Sequence, residues 1–152
     1  MLGQPATKEF EIWPPHITIV PWFPCSDAER LDRTLQQIAA KYRPFLVRAG
    51  QIERWGSEEK FEVQLVEDEG QLYRLHWDTF HALEKSGFPI HQKDYLGDKY
   101  RPHITLRNRL SQQSRQQGEA INIKSFTLVK QSRLKKTGSM IKEVIRDYGL
   151  NG

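Results

Sequence analysis

Two short stretches hold the residues best suited to chemistry. Pro15-His16-Ile17-Thr18-Ile19 is echoed far along the chain by Pro102-His103-Ile104-Thr105-Leu106. In each, a proline precedes a histidine, isoleucine follows, then threonine, then another aliphatic. Residues of this kind form strands, and along a strand residues two apart share a face, so each histidine projects with its threonine. If the fold brings the two strands together, two imidazoles and two hydroxyls converge. Opening a cyclic phosphodiester needs a base to take a proton from the attacking oxygen and an acid to give one to the departing ribose oxygen. Histidine serves either role, because its unperturbed pKa of about 6.5 lets one copy be neutral and another protonated near neutral pH. A threonine hydroxyl donates to a non-bridging phosphoryl oxygen, most strongly where charge builds in the transition state. The chemistry calls for no metal and no cofactor. A single H-x-T strand is more often a histidine bonded to its own backbone; the duplication, with proline before both, is what argues for a site.

The elements that must position these stretches are legible from periodicity. Phe10 to Trp13 alternates and leads through Pro14 and Pro15 into a first strand, Ile17 to Trp22, which Pro21 and Pro24 end. Ser26-Asp27-Ala28-Glu29 has a capping-box pattern with Ser26 as N-cap, and Leu31, Leu35, Ile38, Ala39 and Tyr42 predict an amphipathic helix over 27–43. Pro44 stops it. Residues 45–55, with an irregularity at Gly50, and 61–66 predict an antiparallel hairpin around a turn at 56–60. A helix over about 70–86 closes at Gly87. An irregular stretch, 88–99, delivers the chain to the second motif at 102–107. A polar connector follows at 111–119, and then a hairpin of 121–133 and 139–148 about a turn at 135–138. Strand, helix and hairpin recur in similar order, which predicts a duplicated α+β plan.

With 152 residues, 38% of them apolar, the chain is sized for one domain with a real core. The one cysteine, Cys25, has no partner for an internal disulfide and is expected to be a buried or semi-buried bystander. No secretory leader and no apolar run of membrane-spanning length is present, so the expectation is a soluble, cytoplasmic monomer without a membrane partner. The net charge of +4 is unevenly spread. Residues 1–84 hold nine Lys/Arg against fourteen Asp/Glu, and residues 85–152 hold fourteen against five. The basic half contains the second motif, and a basic field there suits a polyanion such as RNA. Trp22, Trp55, Tyr95 and Tyr100 are candidates for base stacking, with Trp22 on the His16/Thr18 face. His76 and His81, five apart on a helix, do not form a shared metal-binding edge, and His91 has no evident partner.

His16-Ile17-Thr18-Ile19 and His103-Ile104-Thr105-Leu106 resemble the paired H-x-T-x signatures of the two-histidine phosphoesterase superfamily, the group of 2′-5′ RNA ligase and cyclic phosphodiesterase proteins. The ending resembles it too: Phe126 to Ser132, a glycine-containing turn, and a closing strand to Leu150. The resemblance implies an α+β fold, with residues 1–152 forming one bilobal domain of two pseudo-symmetric antiparallel sheets, helices outside and a central cleft. It implies a metal-independent phosphoesterase that hydrolyses a 2′,3′-cyclic phosphate, on RNA ends or nucleotides, to a 2′-phosphate, with 2′-5′ RNA ligation as a further family activity. A non-catalytic RNA-end-binding module with the same cleft is the alternative, and an adaptor whose histidines are mere strand residues is a third reading.

Carried over by motif, His16 and His103 become general acid and base, with Thr18 and Thr105 as phosphate ligands. His16 is placed as donor and His103 as acceptor, an assignment that the near-symmetry leaves open. The family's usual run has an arginine five residues past the second histidine, where this chain has Asn108. Arg101, Arg107 and Arg109 lie on the His103/Thr105 face by period two and are candidates to reach phosphate, as Trp22 and Tyr100 are to contact substrate. Relatives often carry a strand and helix before the first motif; here fifteen residues precede it, so that strand is expected to be shortened, absent or supplied differently.

Overall fold

Two antiparallel sheets and two helices make up the fold in a computed structural model that describes residues 8–106 and 114–152. In chain order the elements are β1 (Lys8–Phe10), α1 (Ala28–Ala39), β2 (Phe45–Trp55), a 3₁₀ turn (Ser57–Glu59), β3 (Phe61–Glu67), α2 (Gln71–Lys85), two further 3₁₀ turns (Lys93–Tyr95 and Gly97–Lys99), β4 (His103–Leu106), β5 (Ala120–Ile123), β6 (Ser125–Arg133) and β7 (Met140–Gly149). One sheet has the order β1-β7-β6 and the other β4-β3-β2-β5. The α+β class with two antiparallel sheets is therefore as the sequence implies. The distribution of strands is not one sheet per half of the chain: β1, from the start, pairs with β7, from the end, and the β2–β3 hairpin is flanked by β4 and β5.

Local sequence explains most elements. α1 turns Leu31, Leu35, Ile38 and Ala39 inward. Its N-cap is Asp27, whose carboxylate accepts from the Arg30 N–H at 3.0 Å, so the expected Ser26 cap is displaced by one residue. Either residue can cap, and Asp27 adds a negative charge at the positive end of the helix. The helix also ends earlier than the apolar spacing implied, at Ala39, because the chain tightens over Lys41 and Tyr42 before Pro44. α2 buries Leu72, Leu75, His76, Thr79 and Leu83, and Asp68 accepts from the N–H groups of Leu72 and Tyr73 at 3.0 and 2.8 Å. Gly87, at φ 91°, closes it in the left-handed conformation that glycine alone adopts freely.

In β2 the side chains of Phe45, Val47 and Ala49 are buried and those of Leu46 and Arg48 exposed. The register then shifts between Ala49 and Ile52, a bulge at the expected irregularity. A side chain at Gly50 would stand 3.0 Å from the Leu65 carbonyl oxygen, and the buried Gln64 amide donates to the Gly50 carbonyl at 3.0 Å.

Three expectations need correction. Residues 17–22 are not a regular strand; only Ile17 forms a bridge, to Ile104. Pro14, Pro15, Pro21 and Pro24 remove ladder donors on both sides of it. The run 121–133 is two strands rather than one: at Lys124 the chain leaves β2 and goes on to pair with β7. Alternation reports a strand's faces but not which sheet receives it. Cys25 is exposed, not buried, in the loop that leads to α1.

The core joins α1, α2, Phe88 and Ile90 to the inner faces of both sheets, through Phe45, Val47, Val66, Ile104, Phe126 and Tyr148. Among the described residues no helix is long and apolar enough to cross a membrane. The tie between α1 and β7 is polar. Asp32 accepts from Arg146 at 2.9 and 3.0 Å, from the Tyr148 hydroxyl at 2.7 Å and from the Gln36 amide at 2.6 Å. Burial by itself would raise the Asp32 carboxyl, but the bonds from Tyr148 and Gln36 and the Arg146 charge outweigh it and hold the group below its ordinary value.

A depressed carboxylate contributes stability that is present above its unfolded pKa of about 3.9 and lost as the pH falls through its folded value. Asp32→Asn is therefore expected to cost about 1–2 kcal/mol at pH 7, with the deficit shrinking toward pH 3. Urea unfolding of both proteins at the two pH values measures this; an equal deficit at both would remove the carboxylate from the account.

Candidate active site

The two H-x-T segments meet directly. Ile17 stands antiparallel to Ile104, and continuing that register sets His16 opposite Thr105 and Thr18 opposite His103. Ile104 is buried in β4, and Ile17 packs against the same core. With the two isoleucines turned in, alternation sends all four polar side chains to the opposite face.

Each histidine is held in the same way. Nδ1–H of His16 donates to the Pro14 carbonyl at 2.9 Å, and Nδ1–H of His103 donates to the Arg101 carbonyl at 2.9 Å. Both acceptors belong to the residue before the motif's proline. Proline restricts that residue to extended backbone and so sets where its carbonyl points, which gives the Pro-His pair a physical reason. With Nδ1–H as donor, the neutral tautomer leaves Nε2 as the acceptor nitrogen of each ring.

An indole backs each ring as well: Trp13 lies 4.4 Å from His16, and Trp55 lies 4.5 Å from His103, centroid to centroid. Trp22 lies 5.8 Å from Trp13 and is 44% exposed.

Around His103 a charged frame is built on β2. Glu53 accepts from the Trp55 indole N–H at 2.8 Å and from Arg101 at 3.2 and 3.3 Å, and the Arg101 guanidinium lies 5.1 Å over the Trp55 ring. The Trp55 bond foremost, then Gln51 and Arg101, hold the Glu53 carboxyl below its ordinary value against a desolvation that raises it. A hollow of about 190 Å³ opens here, lined by Thr18, Trp55, Tyr95, Tyr100, Arg101 and His103 among others. Arg101 thus borders the hollow that His103 lines while pairing with Glu53. Arg107 and Arg109 lie outside the described residues. Thr105 is half-buried on β4.

Tyr100 borders the same hollow and also makes internal contacts. Its ring stacks on His76, 4.0 Å away and nearly parallel, and its hydroxyl donates to the Thr18 carbonyl at 2.9 Å. The ring is thus committed to bracing the first motif. His76, fully buried on α2, donates from Nδ1–H to the Ile19 carbonyl at 2.6 Å and accepts at Nε2 from the Gly97 N–H at 3.0 Å. Burial lowers its pKa, with the bond to Ile19 opposing and His81 adding to the fall. Sequence reasoning set His76 aside as a metal ligand and did not see this brace, since nothing local marks it. Trp13 and Glu53 were missed as well. The spacing Glu53-x-Trp55, which puts both on one strand face, was the available signal for the latter. Among the described residues no group of three or more His, Cys, Asp or Glu side chains is placed to hold a metal ion.

A family model described as the 2′-5′ RNA ligase superfamily matches residues 3–128. The chain belongs to this superfamily, the two-histidine phosphoesterases, and is of the phosphoesterase and ligase kind. Comparison with curated proteins finds no match. Among solved structures, the Thermus thermophilus protein TT0787 is similar with a TM-score of 0.65 and 19% identity, over 95% of this chain and 83% of that one. LigT of E. coli, complexed with 3′-AMP, is similar at 0.57 and 18%, over 91% and 78%. A structure described as a phosphoesterase gives 0.58 and 18%, with the same coverage. At these identities the likeness is one of fold.

Two outcomes follow from the site's geometry. Nitrogen NMR of the imidazoles above their pKa is expected to find both His16 and His103 as the Nδ1–H tautomer; an Nε2–H signal for either would contradict the shared backbone anchor. His76 has a depressed pKa, so its contribution to stability is full above the unfolded value of about 6.5 and declines as the pH falls below it. His76→Asn is expected to cost about 2 kcal/mol at pH 7 and to flatten the loss of stability between pH 7 and 5, as read from urea midpoints.

Proposed function

We propose that this protein is a metal-independent phosphoesterase that opens a 2′,3′-cyclic phosphate on an RNA end or nucleotide to leave a 2′-phosphate. The observation that supports this most is the antiparallel apposition of Ile17 and Ile104, with a histidine and a threonine of each motif on one face and both histidines anchored through Nδ1. In the proposed reaction, Nε2 of His103 takes the proton from the attacking water. The water oxygen bonds to phosphorus and the bond to the ribose 3′-oxygen breaks. Nε2 of His16, protonated, gives its proton to that leaving oxygen. The Thr18 and Thr105 hydroxyls donate to the non-bridging oxygens as negative charge grows there. With the 5′-hydroxyl of a second RNA end in place of water, the same displacement would bond that oxygen to phosphorus as the bond to the ribose 3′-oxygen breaks, leaving a 2′-5′ linkage. Membership of the superfamily supports the class of reaction, and the 3′-AMP held by LigT, a protein of the same fold, supports a nucleotide as ligand.

The direct test is incubation, with EDTA present, of a short RNA ending in a 2′,3′-cyclic phosphate, followed by identification of the terminal phosphate by mass and phosphatase sensitivity. A 2′-phosphate is expected. His16→Ala and His103→Ala should each lower the rate by about 10²–10⁴-fold, and Thr18→Val or Thr105→Val by about 10²-fold. The rate should follow a bell-shaped pH dependence. Tight RNA binding without turnover in the unmodified protein would instead establish the non-catalytic end-binding module.

A further inference from the structure

The hollow beside Thr18 and His103 does not end there. A second one, of about 390 Å³, shares Trp55, Tyr95 and Arg101 with it and is otherwise bounded by Gly56, Asp94 and Lys99. Ligand clefts run from roughly 300 to 1,000 Å³, so the outer hollow has the size of a further ligand group, whereas the inner one, at about 190 Å³, does not hold a whole nucleotide. Resting on the proposed phosphoesterase reading, we propose that the outer hollow is a subsite for the nucleotide preceding the one that carries the reacting phosphate. The substrate class is then an oligonucleotide end rather than a free cyclic mononucleotide.

The lining argues for a nucleotide with its phosphate and against a bare base. Tyr95, 55% exposed, offers an aromatic face beside Trp55, whose ring already carries the Arg101 guanidinium and adjoins His103, and Lys99 and Arg101 offer cations. Aromatic rings interleaved with cations are what single-stranded nucleic acid requires, stacking for the bases and positive charge along the backbone. A terminal base alone would give Lys99 nothing to neutralise, whereas the phosphodiester leading to the preceding nucleotide does. Arg101 borders both hollows, where that phosphodiester would pass. Glu53 engages only its Nη2, and the other N–H groups of a guanidinium stay able to donate to phosphate. Asp94 provides an acceptor for a nucleoside hydroxyl or amine.

The wall is built on an anchored segment. Of the two 3₁₀ turns that follow α2, Asp94 and Tyr95 lie on the first and Lys99 on the second. The second begins at Gly97, whose N–H is held by the buried His76 that also holds Ile19 beside the first motif. One side chain thus sets the spacing between the phosphate site and the outer hollow.

The test is equilibrium binding of two stable probes, a nucleoside 2′-phosphate and a tetranucleotide ending in the same 2′-phosphate, alongside turnover of a cyclic mononucleotide. The tetranucleotide is expected to bind at least about ten-fold more tightly. Tyr95→Ala and Lys99→Gln should each reduce that ratio by about three-fold or more, and Lys99→Gln should lower the salt slope of tetranucleotide binding by about 0.7. Equal affinity for the two probes, or substitutions that weaken both alike, would overturn the subsite and assign the outer hollow to the terminal base. Binding of neither probe would overturn it too. A length preference that falls in both variants, without turnover of any cyclic phosphate, would uphold the subsite while sinking the hydrolase reading.

Discussion

The site depends on one apolar contact made back to back with it. Ile17 and Ile104 pair across the join of two segments far apart in sequence, and their side chains go to the core. Where the backbone stays extended for one residue on either side of this bridge, burying these two residues turns the neighbouring histidines and threonines to the other side. Hydrophobic burial, which has no directional preference of its own, is thereby turned into the placement of four polar groups. A slip of one residue in either segment would bury a histidine and expose an isoleucine.

A single bridge is a weak clamp, and the first motif lies in no regular sheet, so it needs other support. That support comes from α2 and the 3₁₀ turns. His76 takes the Ile19 carbonyl on one ring nitrogen and the Gly97 N–H on the other, which requires the neutral imidazole that its burial favours. Tyr100 lies flat on that ring and reaches the Thr18 carbonyl. Two consecutive carbonyls of the first motif are thus fixed by side chains rather than by a sheet partner, in a stretch where prolines prevent a full ladder.

The two halves of the site are alike in their anchors. Each ring has an Nδ1 bond to the carbonyl two residues back and a tilted indole packed beside it. On the His103 side the indole also carries the Arg101 guanidinium, and its N–H orients the carboxylate that pairs with that arginine. Trp55, Glu53 and Arg101 act as one unit, in which the carboxylate limits where the cation can go and the cation borders the hollow beside His103.

Much of this was legible in the chain itself. The duplicated Pro-His-Ile-Thr, the two amphipathic helices, the bulge at Gly50 and the helix stop at Gly87 are local properties, set by side-chain type, by periodicity and by glycine's access to positive φ. The proline before each histidine also acts locally, since it shapes the backbone whose carbonyl receives Nδ1–H. What the sequence could not decide were the partners. Alternation does not say that β1 joins β7, that the run after residue 120 divides between two sheets, or that residues 17–22 are held by side chains instead of a ladder. Nor does it pick out His76, Glu53 or Trp13, ordinary residues in their own segments that acquire a role only from what packs against them. Periodicity records which way a side chain faces along its own element; which element waits on that side is decided by long-range burial and hydrogen bonding, and these exist only once the chain has folded.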